Sequence, residues 1–184
     1  MNVTRNLVAA VAALTLIGGI TGMACGGSST PAPAEGSGDA VLAPVTDQAT
    51  KLSFHYPSTW TRTSDKPLTF SGQDAFVSEE LRPLASGGVL AAATADEAAV
   101  AAANPGYKQV AIATSTEVKS AAVLSYEWDL AKSAVTGKPV HERADRYYID
   151  LGNGQLAVLT GSSPSSQFDR EQVRDIALTV GLAK

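Results

Sequence analysis

The sequence predicts an α+β domain, a mainly antiparallel sheet of about six to seven strands with helices packed on it. Two observations support this class. Residues 50–184 contain repeated short segments in which apolar and polar residues alternate, separated by turn residues such as Asn153-Gly154. Helical signals occur near residues 94–103 and 166–180. Strands joined by short turns pair antiparallel, so we expect helices to cover one face of a single sheet.

The first predicted strands lie at the start of this region. Residues 51–56 alternate between an apolar and a polar face, and Pro57 ends the strand. A second short strand is predicted over residues 68–70. The turn residues 71–74 then lead into a returning strand over residues 75–81.

A helix and two further strands are predicted next. Residues 94–97 have capping-box spacing, which predicts a helix that continues to residue 103; a start directly after Gly88 is the alternative. Residues 108–114 alternate as a strand. Residues 121–130 are the clearest strand, with apolar residues at the even-numbered positions facing one side, Leu130 included.

A hairpin follows this strand. Residues 140–151 form a long returning strand, and Asn153-Gly154 is the strongest hairpin signal in the chain. This turn leads into a strand over residues 156–160, which we expect to pair with the preceding one.

A loop and a helix complete the predicted domain. Residues 161–165 are rich in Gly, Ser and Pro and are predicted to be a loop. Residues 166–169 have capping-box spacing and predict a helix start, and Gly181 ends this helix. Its apolar residues recur at helical spacing: Val173, Ile176, Ala177 and Val180.

Several short landmarks resemble Mog1/PsbP-like domains of actinobacterial lipoproteins. They are Phe54-His55-Tyr56-Pro57 followed by Trp60, the segment 122–126, Arg146-Tyr147-Tyr148, the segment 156–160 and the closing helix. The resemblance implies an antiparallel sheet between helices. It also implies a binding or accessory module rather than an enzyme, because this family has no shared catalytic motif to carry over.

The N-terminus has the organisation of an export signal. Arg5 precedes an apolar run over residues 7–17, and a small-residue zone ends at Ala24, so residues 1–24 are predicted to be a signal peptide. The alternative is a membrane-spanning helix. Glycines interrupt the run, and the first charged residue after Arg5 is Glu35, so a basic flank that would stop transfer does not follow.

The cleavage zone resembles that of bacterial lipoprotein precursors. Cys25 follows Ala24 and precedes Gly26; the resemblance implies cleavage between Ala24 and Cys25, a diacylglycerol on the Cys25 thiol and a further palmitate-type acyl chain. The family usually has Leu where this chain has Gly22. Ordinary secretory cleavage, which would leave a secreted protein with a free Cys25, is therefore the alternative.

Residues 25–49 are rich in Gly, Ser, Pro and Ala and are predicted to be a tether between the membrane and a single domain over residues 50–184. Loss of the signal removes only Arg5 among the charged residues and changes the net charge from −4 to −5. An acidic chain without a Lys/Arg block is unsuited to nucleic acid, and its membrane attachment would come from acyl chains. The predicted location is the extracytoplasmic face of the cell membrane.

Motifs for catalysis or cofactor binding are missing from the sequence. It contains neither a nucleophile elbow nor a phosphate-binding glycine loop, and with two His and one Cys a zinc site is close to excluded. We interpret His55 and His141 as solvated strand residues. Glu79 and Glu80 point to opposite faces of a strand, so they do not chelate one ion together. No catalytic residue, cofactor or metal is expected.

One stretch of charged residues is a candidate binding strip. Arg143 and Arg146 lie in a mixed-charge strand segment, where Glu127 and Asp129 of the neighbouring strand are possible partners. An anion- or partner-binding strip is one interpretation. A salt-bridged, solvated sheet surface is the other.

These observations favour a non-enzymatic, membrane-anchored envelope protein that binds a partner protein or a ligand. A carrier of lipid or another hydrophobic molecule is the second hypothesis, and it requires a sizeable apolar cavity between sheet and helices. An envelope hydrolase is the third. It requires His55 or His141 beside a serine and an acid.

Overall fold

The computed structural model describes residues 41–132 and 137–183, with two helices and ten strands in that part of the chain. The helices are α1 (Gly88–Ala103) and α2 (Arg170–Leu178). The strands are β1 (Leu42–Thr46), β2 (Leu52–Pro57), β3 (Thr61–Asp65), β4 (Leu68–Ser71), β5 (Phe76–Pro83), β6 (Lys108–Thr114), β7 (Ala121–Lys132), β8 (Pro139–Gly152), β9 (Gln155–Pro164) and β10 (Gly181–Leu182). The predicted signal peptide, Cys25 and most of the predicted tether lie outside the described residues.

The strands form two antiparallel sheets. The larger has seven strands in the order β3-β4-β5-β9-β8-β7-β6, and the smaller has three in the order β1-β2-β10. The predicted α+β class is confirmed. The sequence analysis did not predict the second sheet. Its strands β2 and β10 are far apart in sequence, and Gly181 pairs with Ser53.

The larger sheet is covered on both faces by helices, as the resemblance implied, so the expectation from the order of strands and helices that one face is covered is wrong. On one face, residues such as Leu124 and Tyr148 pack against Ala93 and Val100 of α1. On the other face, α2 and the smaller sheet pack over a second apolar cluster that includes Phe54, Leu159 and Ile176. Strands buried on both faces contain apolar residues at successive positions, which hides the alternation.

Three local predictions also differ from the structure. The ordered domain begins before residue 50, because β1 lies within the predicted tether and pairs with β2. Residues 161–164 belong to β9 rather than to a loop, because they pair with β5 and β8. Gly161 allows this strand to approach α2: a Cβ there would lie 2.6 Å from Val173 Cγ1. Leu130 is 47% exposed, because the pairing of β7 with β8 shifts register after Asp129.

The helix starts show where capping patterns mislead. Thr94 lies inside α1, where its hydroxyl donates to the Leu90 carbonyl oxygen, and the helix begins at Gly88 as in the alternative prediction. The N-cap of α2 is Asp169, three residues after the predicted Ser166. Its carboxylate accepts from the Gln172 amide.

The Asn153-Gly154 turn between β8 and β9 is confirmed. Asn153 has φ 54° and Gly154 has φ 72°, and both values lie in the left-handed region that a tight hairpin turn requires. This turn joins β8 to β9, and their pairing places Arg146 opposite Thr160.

Candidate functional site

A cleft of about 490 Å³ opens between the two sheets. One side is the turn between β1 and β2, and the other is the turn between β3 and β4. A short stretch of β5 forms its floor. We call this feature the inter-sheet cleft; its lining residues are Asp47, Ala49, Thr50, Leu52, Asp65, Lys66, Pro67, Leu68, Glu79, Glu80 and Leu81.

The inter-sheet cleft combines apolar walls with acidic groups. Leu52 and Leu68 belong to the buried core, and Pro67 and Leu81 extend the apolar surface. Four of the eleven lining residues are acidic and one, Lys66, is basic. The surroundings therefore suit a ligand with an apolar body more than an anion.

Glu79 is the most unusual residue of the inter-sheet cleft. It is 2% exposed, and its cross-strand neighbours are Leu68 and Leu159. Neither of its carboxylate oxygens has a hydrogen-bond partner among the described residues. Burial, with a smaller contribution from the charge of Asp47, raises the pKa of Glu79 to about 9. At neutral pH this carboxyl group is therefore protonated.

Asp47, at the rim of the inter-sheet cleft, is held in the opposite state. Its carboxylate accepts hydrogen bonds from the Ala49 amide and the Thr50 hydroxyl, each at 2.9 Å. These bonds hold the pKa of Asp47 below its usual value. An ionised carboxylate at the rim thus lies above a protonated one at the floor.

The other two acidic residues of the cleft are ion-paired. Asp65 lies 2.7 Å from Arg62 Nε. Glu80 pairs with Arg82 and lies 3.9 Å from Arg146. Glu79 and Asp47 are therefore the acidic residues of the cleft that form no ion pair with a described residue.

Glu80 belongs to a polar cluster on the α1 side of the sheet. Asp96 of α1 accepts from Arg82 at 2.9 Å, from Arg146 at 3.1 Å and from the Tyr148 hydroxyl at 3.0 Å, and Arg146 donates to Thr160 at 2.8 Å. Burial acts to raise the pKa of Asp96, but the two arginines outweigh it and lower that pKa. We call this group the α1 network.

The structure does not bring Arg143 and Arg146 together. Arg146 is 17% exposed and belongs to the α1 network. Arg143 lies on the opposite face of β8, with its guanidinium 5.4 Å from the Phe168 ring and 3.9 Å from Glu127. The two residues therefore do not form a single strip. The expected pairing with Glu127 is present, whereas Asp129 contacts His141 at 2.7 Å.

The histidines lie at the surface. His55 is exposed in β2, and His141 is 67% exposed beside Asp129. Among residues 41–132 and 137–183, no serine hydrogen-bonds to either imidazole ring, and no group of three or more His, Cys, Asp or Glu residues is arranged to hold a metal ion. The arrangement that the hydrolase hypothesis requires is not found in this part of the chain.

The space between the sheet and α2 is small. It measures about 40 Å³ and is lined by residues that include Trp60 and Phe168. This volume suits one or two water molecules rather than a lipid. Trp128 is 8% exposed and packs beside Tyr126, as expected for a core residue.

Sequence reasoning placed Glu79 and Glu80 on opposite faces of a strand, and the structure confirms it. It did not identify Glu79 as a site residue. The sequence did contain a signal for Glu79. Val77, Glu79 and Leu81 share one face of β5, so the alternating pattern assigns the Glu79 carboxyl group to the core.

No protein-family model and no curated protein matches this chain. Solved structures that match include a cyanobacterial PsbP from Synechocystis sp. PCC 6803, at 14% identity and a TM-score of 0.49, covering 84% of this chain and 100% of that one. A protein Mog1 variant matches at 11% identity and a TM-score of 0.47, covering 76% and 89%. A protein from Bacteroides thetaiotaomicron VPI-5482 matches at 12% identity and a TM-score of 0.45, covering 72% and 45%.

Proposed function

We propose that this protein is a lipid-anchored protein of the cell envelope whose α+β domain is a non-enzymatic binding module, with the inter-sheet cleft as its ligand site. The observation that carries the proposal is the cleft itself. It offers about 490 Å³ beside apolar walls and a buried carboxyl group without a partner. A few convergent polar groups in a mostly apolar concavity are typical of small-molecule sites.

The anchor in this proposal is Cys25, carrying a diacylglycerol and a further acyl chain. The segment between Cys25 and β1 would hold the domain away from the membrane. The mature net charge of −5 gives no attraction to anionic head groups, so acyl chains would provide the attachment. No helix in the described part of the chain is long and apolar enough to cross a membrane.

A carrier of hydrophobic molecules is the second candidate. The observation that favours it is the apolar wall of the same cleft, formed by Leu52, Leu68 and Leu81. Such a carrier would use the space between the two sheets, because the space under α2 is only about 40 Å³.

Native mass spectrometry of the full chain, extracted from its own envelope in mild detergent, tests both parts of the proposal. We expect a covalent acyl increment on the peptide that begins at Cys25, and a non-covalent increment that is lost on denaturation. The variant Cys25→Ser should lose the first increment only. An unacylated Cys25 would contradict the anchor and leave a secreted domain.

A matched pair of variants tests whether the ligand occupies the cleft. Ala49 is exposed at its rim, and Ala113 is exposed on β6, away from the cleft. Ala49→Trp should abolish the non-covalent increment because the indole obstructs the cleft, whereas Ala113→Trp should retain it. An increment that survives Ala49→Trp would place the ligand elsewhere.

A further inference from the structure

We propose that the inter-sheet cleft binds a small organic cation, an ammonium group on an apolar body, and that the ammonium group forms a salt bridge with Glu79. This inference rests on the proposed function, since it names the ligand class for the same cleft. It follows from the unpartnered carboxyl group of Glu79, from the carboxylate of Asp47, which forms no ion pair although the charge of Arg62 acts on it, and from the apolar surface around them.

The apolar walls complement the body of such a ligand. Leu52 and Leu68 are 3% and 4% exposed, so they are held in place by the core, and Leu81 continues the same surface along β5. An apolar group of the ligand that packs against them would be removed from water, and the protein would rearrange little on binding.

The charges around Glu79 favour a cation. Asp47 faces the cleft from the β1–β2 turn, and Asp65 and Lys66 face it from the β3–β4 turn. Asp65 is paired with Arg62 and Glu80 with Arg82, which leaves Asp47 and Glu79 for the ligand. Lys66, on the β3–β4 turn, is the basic residue of the cleft lining, and among the described residues it forms no ion pair with Asp47 or Glu79.

An organic cation fits better than a metal ion. A hard cation such as Ca²⁺ takes about six to eight oxygen ligands. In the part of the chain that the structure describes, no cluster of three or more ligating side chains is arranged around one point. An ammonium group needs only a few acceptors and carries its own apolar stem.

Binding of the cation should release a proton. Glu79 is protonated at neutral pH in the unliganded protein because its pKa is about 9. An ammonium group beside it favours the ionised form, so the carboxyl O–H bond breaks and its proton passes to the solvent. The resulting carboxylate and the ammonium group form the salt bridge. Affinity should therefore rise with pH as long as the ligand remains protonated.

Isothermal titration calorimetry on the acylated full chain tests this inference with two matched probes, 2-phenylethylammonium and its neutral analogue 2-phenylethanol. We expect the ammonium probe to bind roughly 10- to 100-fold more tightly, the range for a charge-assisted hydrogen bond. Titrations in buffers of different ionisation heat should show release of about one proton at neutral pH.

Two variants and a control complete the test. Glu79→Gln should bring the ammonium probe to the affinity of the alcohol and abolish proton release. Asp47→Asn leaves Glu79 in place. It should weaken binding of the ammonium probe less than Glu79→Gln does, and it should retain proton release. Glu171→Gln removes the same charge from an exposed position on α2 and should change neither.

The outcomes separate this inference from the proposed function. Equal binding of both probes, unaffected by Glu79→Gln, would overturn the cation inference and leave a cleft for apolar ligands. Binding of neither probe would overturn the cation inference, whereas the native-mass increment would still decide whether the cleft holds another ligand.

Discussion

Glu79 and Glu80 are adjacent residues of β5 with the same side chain and opposite surroundings. Glu80 points toward α1, where Arg82 pairs with it and Arg146 lies nearby. Glu79 points toward the smaller sheet, where it is buried without a partner. Glu80 is thus paired with a cation inside the fold, whereas Glu79 is left without a partner. Buried polar groups are normally paired, so the unpartnered Glu79 is the reason we propose the cleft side, and not the surroundings of Glu80, as the ligand site.

Asp96 and Glu79 should contribute to stability with opposite pH dependences. Asp96 of the α1 network has a lowered pKa, so its contribution to stability is present above its unfolded pKa and is lost as the pH falls through its folded pKa. Glu79 has a raised pKa, so its contribution is full in acid and is lost as the pH rises.

The largest effect of a single substitution on stability at neutral pH is expected from breaking the α1 network. Arg146→Met removes the donor to Thr160 and one of the two arginines that pair with Asp96, and should lower the free energy of unfolding by roughly 3 kcal/mol. Urea denaturation measures it. Arg62→Met, at a 48% exposed ion pair, is the control and should cost under about 1 kcal/mol. Equal losses in both variants would contradict the structural role of the network.

The next effect is a pH dependence that belongs to Glu79. Its pKa rises from 4.5 to about 9 on folding, so the stability of the protein should decrease between these values by up to about 1.4 kcal/mol per pH unit from this group. Glu79→Gln should remove that component, so the two proteins should differ most near pH 9. Glu142, whose pKa burial and the charge of Asp74 raise to about 7, contributes equally to both. Denaturation series across this range in both proteins would show parallel curves if Glu79 were not the source.

A smaller effect is expected from filling the unsatisfied position with an apolar residue. Glu79→Leu should raise the free energy of unfolding at neutral pH by about 1–3 kcal/mol, since it removes a buried acid that has no hydrogen-bond partner. The same variant should no longer bind the ammonium probe in preference to the alcohol. Destabilisation by Glu79→Leu would indicate that Glu79 has a partner within the fold.

The smallest effect concerns the rim of the cleft. The charge of Asp47 contributes to the raised pKa of Glu79, after burial, so Asp47→Asn should shift that pKa slightly downward. NMR titration of the Glu79 carboxyl carbon measures the shift. Asp65→Asn is the matched control, because the charge of Asp65 is paired with Arg62. A larger shift in the control would contradict the assigned electrostatics.

The sequence was informative where a local pattern determines a local structure. The Asn153-Gly154 turn and the strand over residues 108–114 follow directly from turn chemistry and alternation, and both are present. The inter-sheet cleft could not be predicted in this way. It depends on the smaller sheet, whose strand β10 pairs with β2 from the far end of the chain. The alternation in β5 places Glu79 on the inward-facing side of the strand, but it does not show which element packs against that side.

Segments that look like loops were the other source of error. Gly161-Ser162-Ser163-Pro164 has the composition of a turn, yet it continues β9 between β5 and β8. Long-range pairing supplied its structure, and the close contact of Gly161 with Val173 explains why glycine occupies the position. Local propensity is a weak guide wherever the partner strands are distant in sequence.

The most direct test of the central claim is to measure the pKa of Glu79 with and without 2-phenylethylammonium. NMR titration of the Glu79 carboxyl carbon in the acylated full chain gives this pKa. The account predicts a Glu79 pKa of about 9 in the unliganded protein and a fall below neutrality in saturating 2-phenylethylammonium, with no change in 2-phenylethanol. Titration near 4.5 in the unliganded protein, or a pKa that the ammonium probe leaves unchanged, would contradict it.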